Sequence, residues 1–150
     1  MSKPLDVLST ALVGMWWLES RIDIAADESR REEPSLGSDP LGVLVYSQEK
    51  FAAQFMKRDR SNMADKSVAS SGNNNTAAVG GYDAYFGSYR VDADTGDVVH
   101  KLEGALSPEN VGMEVSRTLS VEGNQLLIKL ATTTGDNEPV TRILTWKRVG

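Results

Sequence analysis

The sequence predicts an all-β chain of about eight antiparallel strands in up-and-down order, closed into a barrel and preceded by one short helix. Five strand-like segments follow residue 82, separated by compact turn sequences, and three more lie before residue 58. Nothing between them carries the 3.6-residue period of a packing helix, so consecutive strands pair as hairpins. Closing such a sheet removes its exposed edges.

The elements follow in order. Residues 5–13 (LDVLSTALV) set Leu5, Leu8 and Leu12 at helical spacing, and Gly14 ends the run. A helix this short is not stable alone in water, so it packs, we expect, across one barrel end. At 15–24 (MWWLESRIDI) the period changes to an imperfect two with aromatic and branched residues, the first strand. Residues 25–40 are charged and hold two prolines and a glycine, a loop. Segments 42–47 and 51–57 flank Gln48, Glu49 and Lys50 as a hairpin. A long polar insert follows, and 61–81 within it is expected to act as a flexible lid. Strands are then expected at 82–91, 98–106, 112–121, 126–132 and 140–147, divided by DADTGD, SPEN, EGN and GDNEP. The whole of 1–150 reads as one domain.

Composition narrows the function classes. A net charge of −5 with scattered basic residues argues against nucleic acid. The absence of cysteine removes disulfides and thiolate chemistry and fits a reducing cytoplasm, the expected location. No apolar run reaches the roughly 18 residues of a membrane span, and the first residues lack the pattern of a signal peptide. One histidine excludes multi-histidine metal sites. Asp92, Asp94 and Asp97 around Gly96 do not follow the ligand order of a calcium loop. Nucleophile-elbow, phosphate-loop and dinucleotide motifs are missing, so no metal and no cofactor are expected.

At about eight strands a barrel is either filled by side chains or just wide enough for one small ligand. Alternation sets Tyr85, Gly87 and Tyr89 on one face of their strand and His100 beside Leu102 on the next. It groups Met113, Val115, Arg117, Leu119 and Val121 against an outer row of Glu114, Ser116, Thr118 and Ser120. Arg117 therefore points inward and requires a partner, because an unpaired buried guanidinium is prohibitive. That partner is Glu19 or Glu103, an anionic or carbonyl-bearing ligand, or water at the rim. The Tyr85 and Tyr89 hydroxyls would orient a carbonyl or phenol, and Gln54 offers a further polar contact. Arg58 would contact ligand or simply pair with Asp59. His100 would serve as a proton donor or anchor near neutral pH, or as a hydrogen-bonded core residue. Trp16 is expected to plug the closed end with Arg148 stacked on it.

Gly14-Met15-Trp16 has the Gly-x-Trp form found at the first strand of lipocalins. The order of LVGMWWL (12–18), DPLGVLVYSQEKFAAQFMKRDR (39–60), YDAYFGSYRVD (82–92), VVHKLEGALSPENVGMEVSRTLSVEGNQLLI (98–128) and LTWKR (144–148) resembles the lipocalin-like domain family of bacteria and fungi. The resemblance spares only the loops at 25–38 and 61–80. It implies a closed barrel binding a small hydrophobic or amphipathic molecule. The alternative it implies is a cofactor-free cyclase or isomerase of secondary metabolism, acting on a polyketide or terpenoid precursor. In that case His100 or Tyr89 would be the acid or base, with Arg117 stabilising developing negative charge. Positions matching its recurrent polar residues are Gln54, Arg58, Tyr85, Tyr89, His100, Asn110 and Arg117. The expected assembly is a monomer or homodimer, with a small hydrophobic molecule as its partner, no nucleic acid and no membrane span.

Overall fold

The computed structural model describes residues 4–60, 78–134 and 136–150. Helix α1 (Pro4–Leu12) precedes β1 (Gly14–Ala25), the two-residue β2 (Arg30–Arg31), β3 (Leu41–Tyr46), β4 (Lys50–Met56) and β5 (Tyr82–Val91). Then come β6 (Val98–Ala105), a 3-10 turn (Pro108–Asn110), β7 (Glu114–Glu122), β8 (Gln125–Thr133) and β9 (Pro139–Arg148). Strands β3 to β9 pair with their neighbours in sequence, and β1 pairs antiparallel with both β3 and β9. The result is a closed barrel of eight antiparallel strands, as the alternating pattern predicts.

Its two ends differ. The turns at 47–49, 92–97 and 123–124 are short hairpin loops, and α1 lies on their end, touching β5 and β7. Here Trp16 is fully buried and donates from Nε1 to the Leu12 carbonyl at 2.9 Å. The Arg148 guanidinium sits 4.3 Å from the Trp16 ring centroid and donates to the Ala11 and Val13 carbonyls. Those carbonyls would otherwise end the helix without partners. Gly14 holds φ +139°, and a Cβ there would fall 2.6 Å from Arg148 Nη1 and 2.7 Å from the Gly150 carbonyl oxygen. The Gly-x-Trp motif thus combines a backbone only glycine tolerates with a plug that α1 and Arg148 lock.

The long connections gather at the opposite end. The stretch expected to be a plain loop at 25–40 is more ordered than that: β1 runs to Ala25, and β2 pairs back on Asp23 and Ile24. Ser35 and Leu36 then bury themselves over this end, as does Ala78. Of the expected lid, 61–77 lie outside the described residues. No helix among the described residues is long and apolar enough to cross a membrane.

One local irregularity decides what faces inward. The β1–β9 register shifts between Leu18 and Ser20. Before the shift Trp16 and Leu18 are buried; after it Asp23 and Ala25 are. A bulge adds one residue and reverses the alternation, so β1 changes from an apolar inner face to a charged one midway along the barrel.

Candidate functional site

The barrel encloses a cavity with about 670 Å³ of space not taken by atoms, the solvent of its open mouth included. Its middle is apolar, lined by Leu44, Phe55, Ile128, Leu130 and Leu144 among others. Ala53, the small residue of the inner face of β4, leaves room that a larger side chain would fill.

Charge collects towards the mouth. Arg142 on β9 and Asp23 on β1 are both buried and form a two-pronged pair, Nε to Oδ1 at 2.8 Å and Nη2 to Oδ2 at 3.0 Å. Arg21, turned inward by the bulge, donates to Glu33 at 3.1 Å, and Glu33 in turn accepts from the Ser35 backbone and hydroxyl. Burial lowers the Arg21 value, with Arg142 adding to it and Glu33 opposing. For Glu33 burial pushes upward, but Arg21 and the Ser35 hydrogen bonds outweigh it and the carboxyl lies below its ordinary value. Asp83 of β5 also lines the cavity and is buried.

Deeper in, β3, β5, β6 and β7 bring together Tyr46, Tyr85, His100 and Arg117, all lining the cavity. His100 Nε2 and the Tyr46 hydroxyl are 2.5 Å apart, and Phe51 stands edge-on to the imidazole with centroids 4.6 Å apart. Burial, reinforced by Arg117, pushes His100 down to about 3, so it is a neutral imidazole through the ordinary pH range. Tyr46 is pushed well up by burial, with Tyr85 and Tyr89 adding to it, and keeps its proton. Desolvation lowers Arg117 to about 10, which leaves it charged. Its Nη1 donates to the Ser116 carbonyl at 3.0 Å.

Of the residues expected from sequence, His100, Arg117 and Tyr85 meet at the cavity. Five expectations are corrected. Gln54 is exposed, because Ala53 and Phe55 take the inner positions of β4 and the residue between them must point out. Arg58 lies beyond the end of β4 on the surface, where Nε pairs with the Asp39 carboxylate at 3.1 Å and donates to the Asp39 carbonyl. Tyr89 has the inward orientation expected, yet its hydroxyl donates to the Ser47 carbonyl at 2.7 Å and it does not line the cavity. Glu19 and Glu103 do not serve Arg117: Glu19 is exposed and Glu103 pairs with Lys50 outside the barrel. His100, finally, is no proton donor poised near neutral pH, since its burial holds it uncharged. Asn110 is buried in the 3-10 turn and does not line the cavity.

Sequence reasoning missed Tyr46, Arg142, Arg21 and Asp23. Tyr46 shares the parity of Leu44, and Arg142 that of Val140, Leu144 and Trp146, so plain alternation identifies both. Arg21 and Asp23 lie past the bulge, where that rule inverts.

The family model described as lipocalin-like domain matches residues 13–149. The chain belongs to the lipocalin-like domain family. The match begins at the residue before Gly14 and runs through all nine strands, so the Gly-x-Trp plug and the Arg148 that stacks on it are both inside the lipocalin-like unit. No match is found among the curated proteins.

Proposed function

We propose that the barrel holds one small hydrophobic or amphipathic molecule in its interior. The observation that carries this reading is the lining of the cavity, apolar in its middle and furnished with a few convergent polar side chains. A barrel working only through its outer surface would have this space filled, since interiors otherwise pack to crystal-like density.

The test is a fluorescence titration with the apolar probe N-phenyl-1-naphthylamine. A saturable one-to-one enhancement is expected, with affinity at least tenfold weaker in Ala53→Phe, whose ring would fill the lumen. Absence of saturation, or equal affinity in a folded Ala53→Phe protein, overturns the reading.

Cyclase or isomerase activity on a natural-product precursor is the second reading, and the Tyr46–His100 hydrogen bond favours it by fixing an orienting pair inside an apolar lumen. With His100 held neutral, such catalysis would rest on shaping and desolvating the precursor, with little acid–base assistance from the imidazole.

A further inference from the structure

Resting on that reading, the polar groups of the interior specify the chemistry of the occupant. Among the described residues three buried side-chain nitrogen or oxygen atoms have no hydrogen-bond partner, and two of them, His100 Nδ1 and Trp146 Nε1, belong to residues lining this one cavity. Both residues are buried to within 5 % of complete exclusion from solvent. Buried polar atoms are almost always satisfied, so two orphans around one lumen mark a missing partner.

The character of that partner follows from the donors. An indole Nε1 carries a hydrogen and can only donate. The His100 tautomer follows from Tyr46, whose only hydrogen bond to a described residue is the one to Nε2. With the phenol proton directed into Nε2, the neutral ring carries its own hydrogen on Nδ1, which makes the second orphan a donor too. Arg117, charged and lining the same walls, has donors only. The carboxylates near the lumen have partners of their own: Asp23 and Glu33 are taken by Arg142 and Arg21, and Asp83, which lines the cavity, is engaged as well.

We propose that the occupant carries a carboxylate, whose oxygens accept hydrogen bonds from Trp146 Nε1 and His100 Nδ1 beside Arg117 while its apolar remainder lies among Leu44, Phe55 and Leu144. A carboxylate has two oxygens and about four acceptor sites, so it serves several donors at once, where an alcohol brings its own hydrogen and an ammonium brings only hydrogens. Charge-assisted hydrogen bonds are also the stronger kind.

A matched series tests this: 4-phenylbutyrate, 4-phenylbutanol and 4-phenylbutylamine, each displacing N-phenyl-1-naphthylamine. The carboxylate is expected to displace the probe at a concentration at least tenfold below the alcohol, with the amine weakest. Trp146→Phe keeps an aromatic ring and removes the N–H, so it should cancel most of that preference, read as the ratio of carboxylate to alcohol displacement within the same variant. His100→Phe should act in the same direction, and thermal melting of both variants confirms that they fold. Equal or better displacement by the alcohol or amine overturns the carboxylate while the probe still supports an occupied lumen; it is the result expected if ordered water alone satisfies the two donors. A preference that survives in both folded variants also overturns it. Failure of the probe to bind the parent protein removes both readings together.

Discussion

The two ends of the barrel contain the same materials, an inward aromatic or aliphatic floor and inward arginines, and use them in opposite ways. At the helix end Arg148 lies over Trp16 and spends its donors on backbone carbonyls of α1, so the cation completes a seal. At the far end Arg142 faces Asp23 on the neighbouring strand, Arg21 faces Glu33 in the loop after β2, and both arginines border open space. A cation held by carbonyls and a ring can be packed solid, because its partners are neutral and fixed. A cation held by an acid imposes desolvation on both partners and leaves a polar rim around whatever lies between. Structural and receptive ends are therefore distinguished less by which residues they contain than by what each guanidinium is given to hold.

The sharpest way to break this contrast is at the mouth. Asp23→Ala leaves Arg142 buried without its two-pronged acceptor and is expected to cost about 3–5 kcal/mol in urea unfolding. The double change Asp23→Leu, Arg142→Met should restore most of that loss. A cost under about 1 kcal/mol for the single variant would mean that the mouth is open enough for water to replace the acid, and the distinction between ends would collapse.

Between the two ends sits His100, and pH reads its burial directly. Its folded value of about 3 lies below the ordinary 6.5, so between these limits the unfolded chain binds a proton that the native state refuses. The stabilisation is complete above about pH 6.5 and is lost as pH falls, by up to about 1.4 kcal/mol per pH unit. Glu33, also depressed but from an ordinary value of 4.5, adds its loss only at lower pH. Urea unfolding at pH 6.5 and 5 should show the slope in the parent and lose it in His100→Phe; an unchanged slope in that variant would show that His100 is hydrated.

The smallest effects are expected on the outer wall. Gln54→Ala and Arg58→Ala should each shift stability by less than about 0.5 kcal/mol, as surface changes do, and leave N-phenyl-1-naphthylamine affinity unchanged. Any marked loss of probe binding in either would put part of the binding surface outside the lumen.

The strand count, the closure and the inner faces of β5, β6 and β7 were legible in the sequence because the period of two holds locally at Tyr85, His100 and Arg117, and the slip at Glu103 falls past His100. Depth was not legible. Tyr89 has the right parity, but alternation reports which wall a side chain leaves and not how far along the tilted strand it stands, so its tie to Ser47 depended on where the 47–49 turn falls. Gln54 was misread for the converse reason: a polar residue between two inward ones belongs outside, and the pattern already said so. The charged mouth was hidden by the β1–β9 register shift, since a rule that counts by twos fails where the chain counts by one.

That shift at Glu19 behaves as a frame change in three dimensions. Pairing the strand straight through Glu19, without the bulge, would turn Arg21 and Asp23 out to solvent and bring Ser20, Ile22 and Ile24 into the lumen, with no letter altered. Selectivity of the opening is then stored in the register of the first strand, a quantity that one slip rewrites and that residue-by-residue substitution would need several steps to reach.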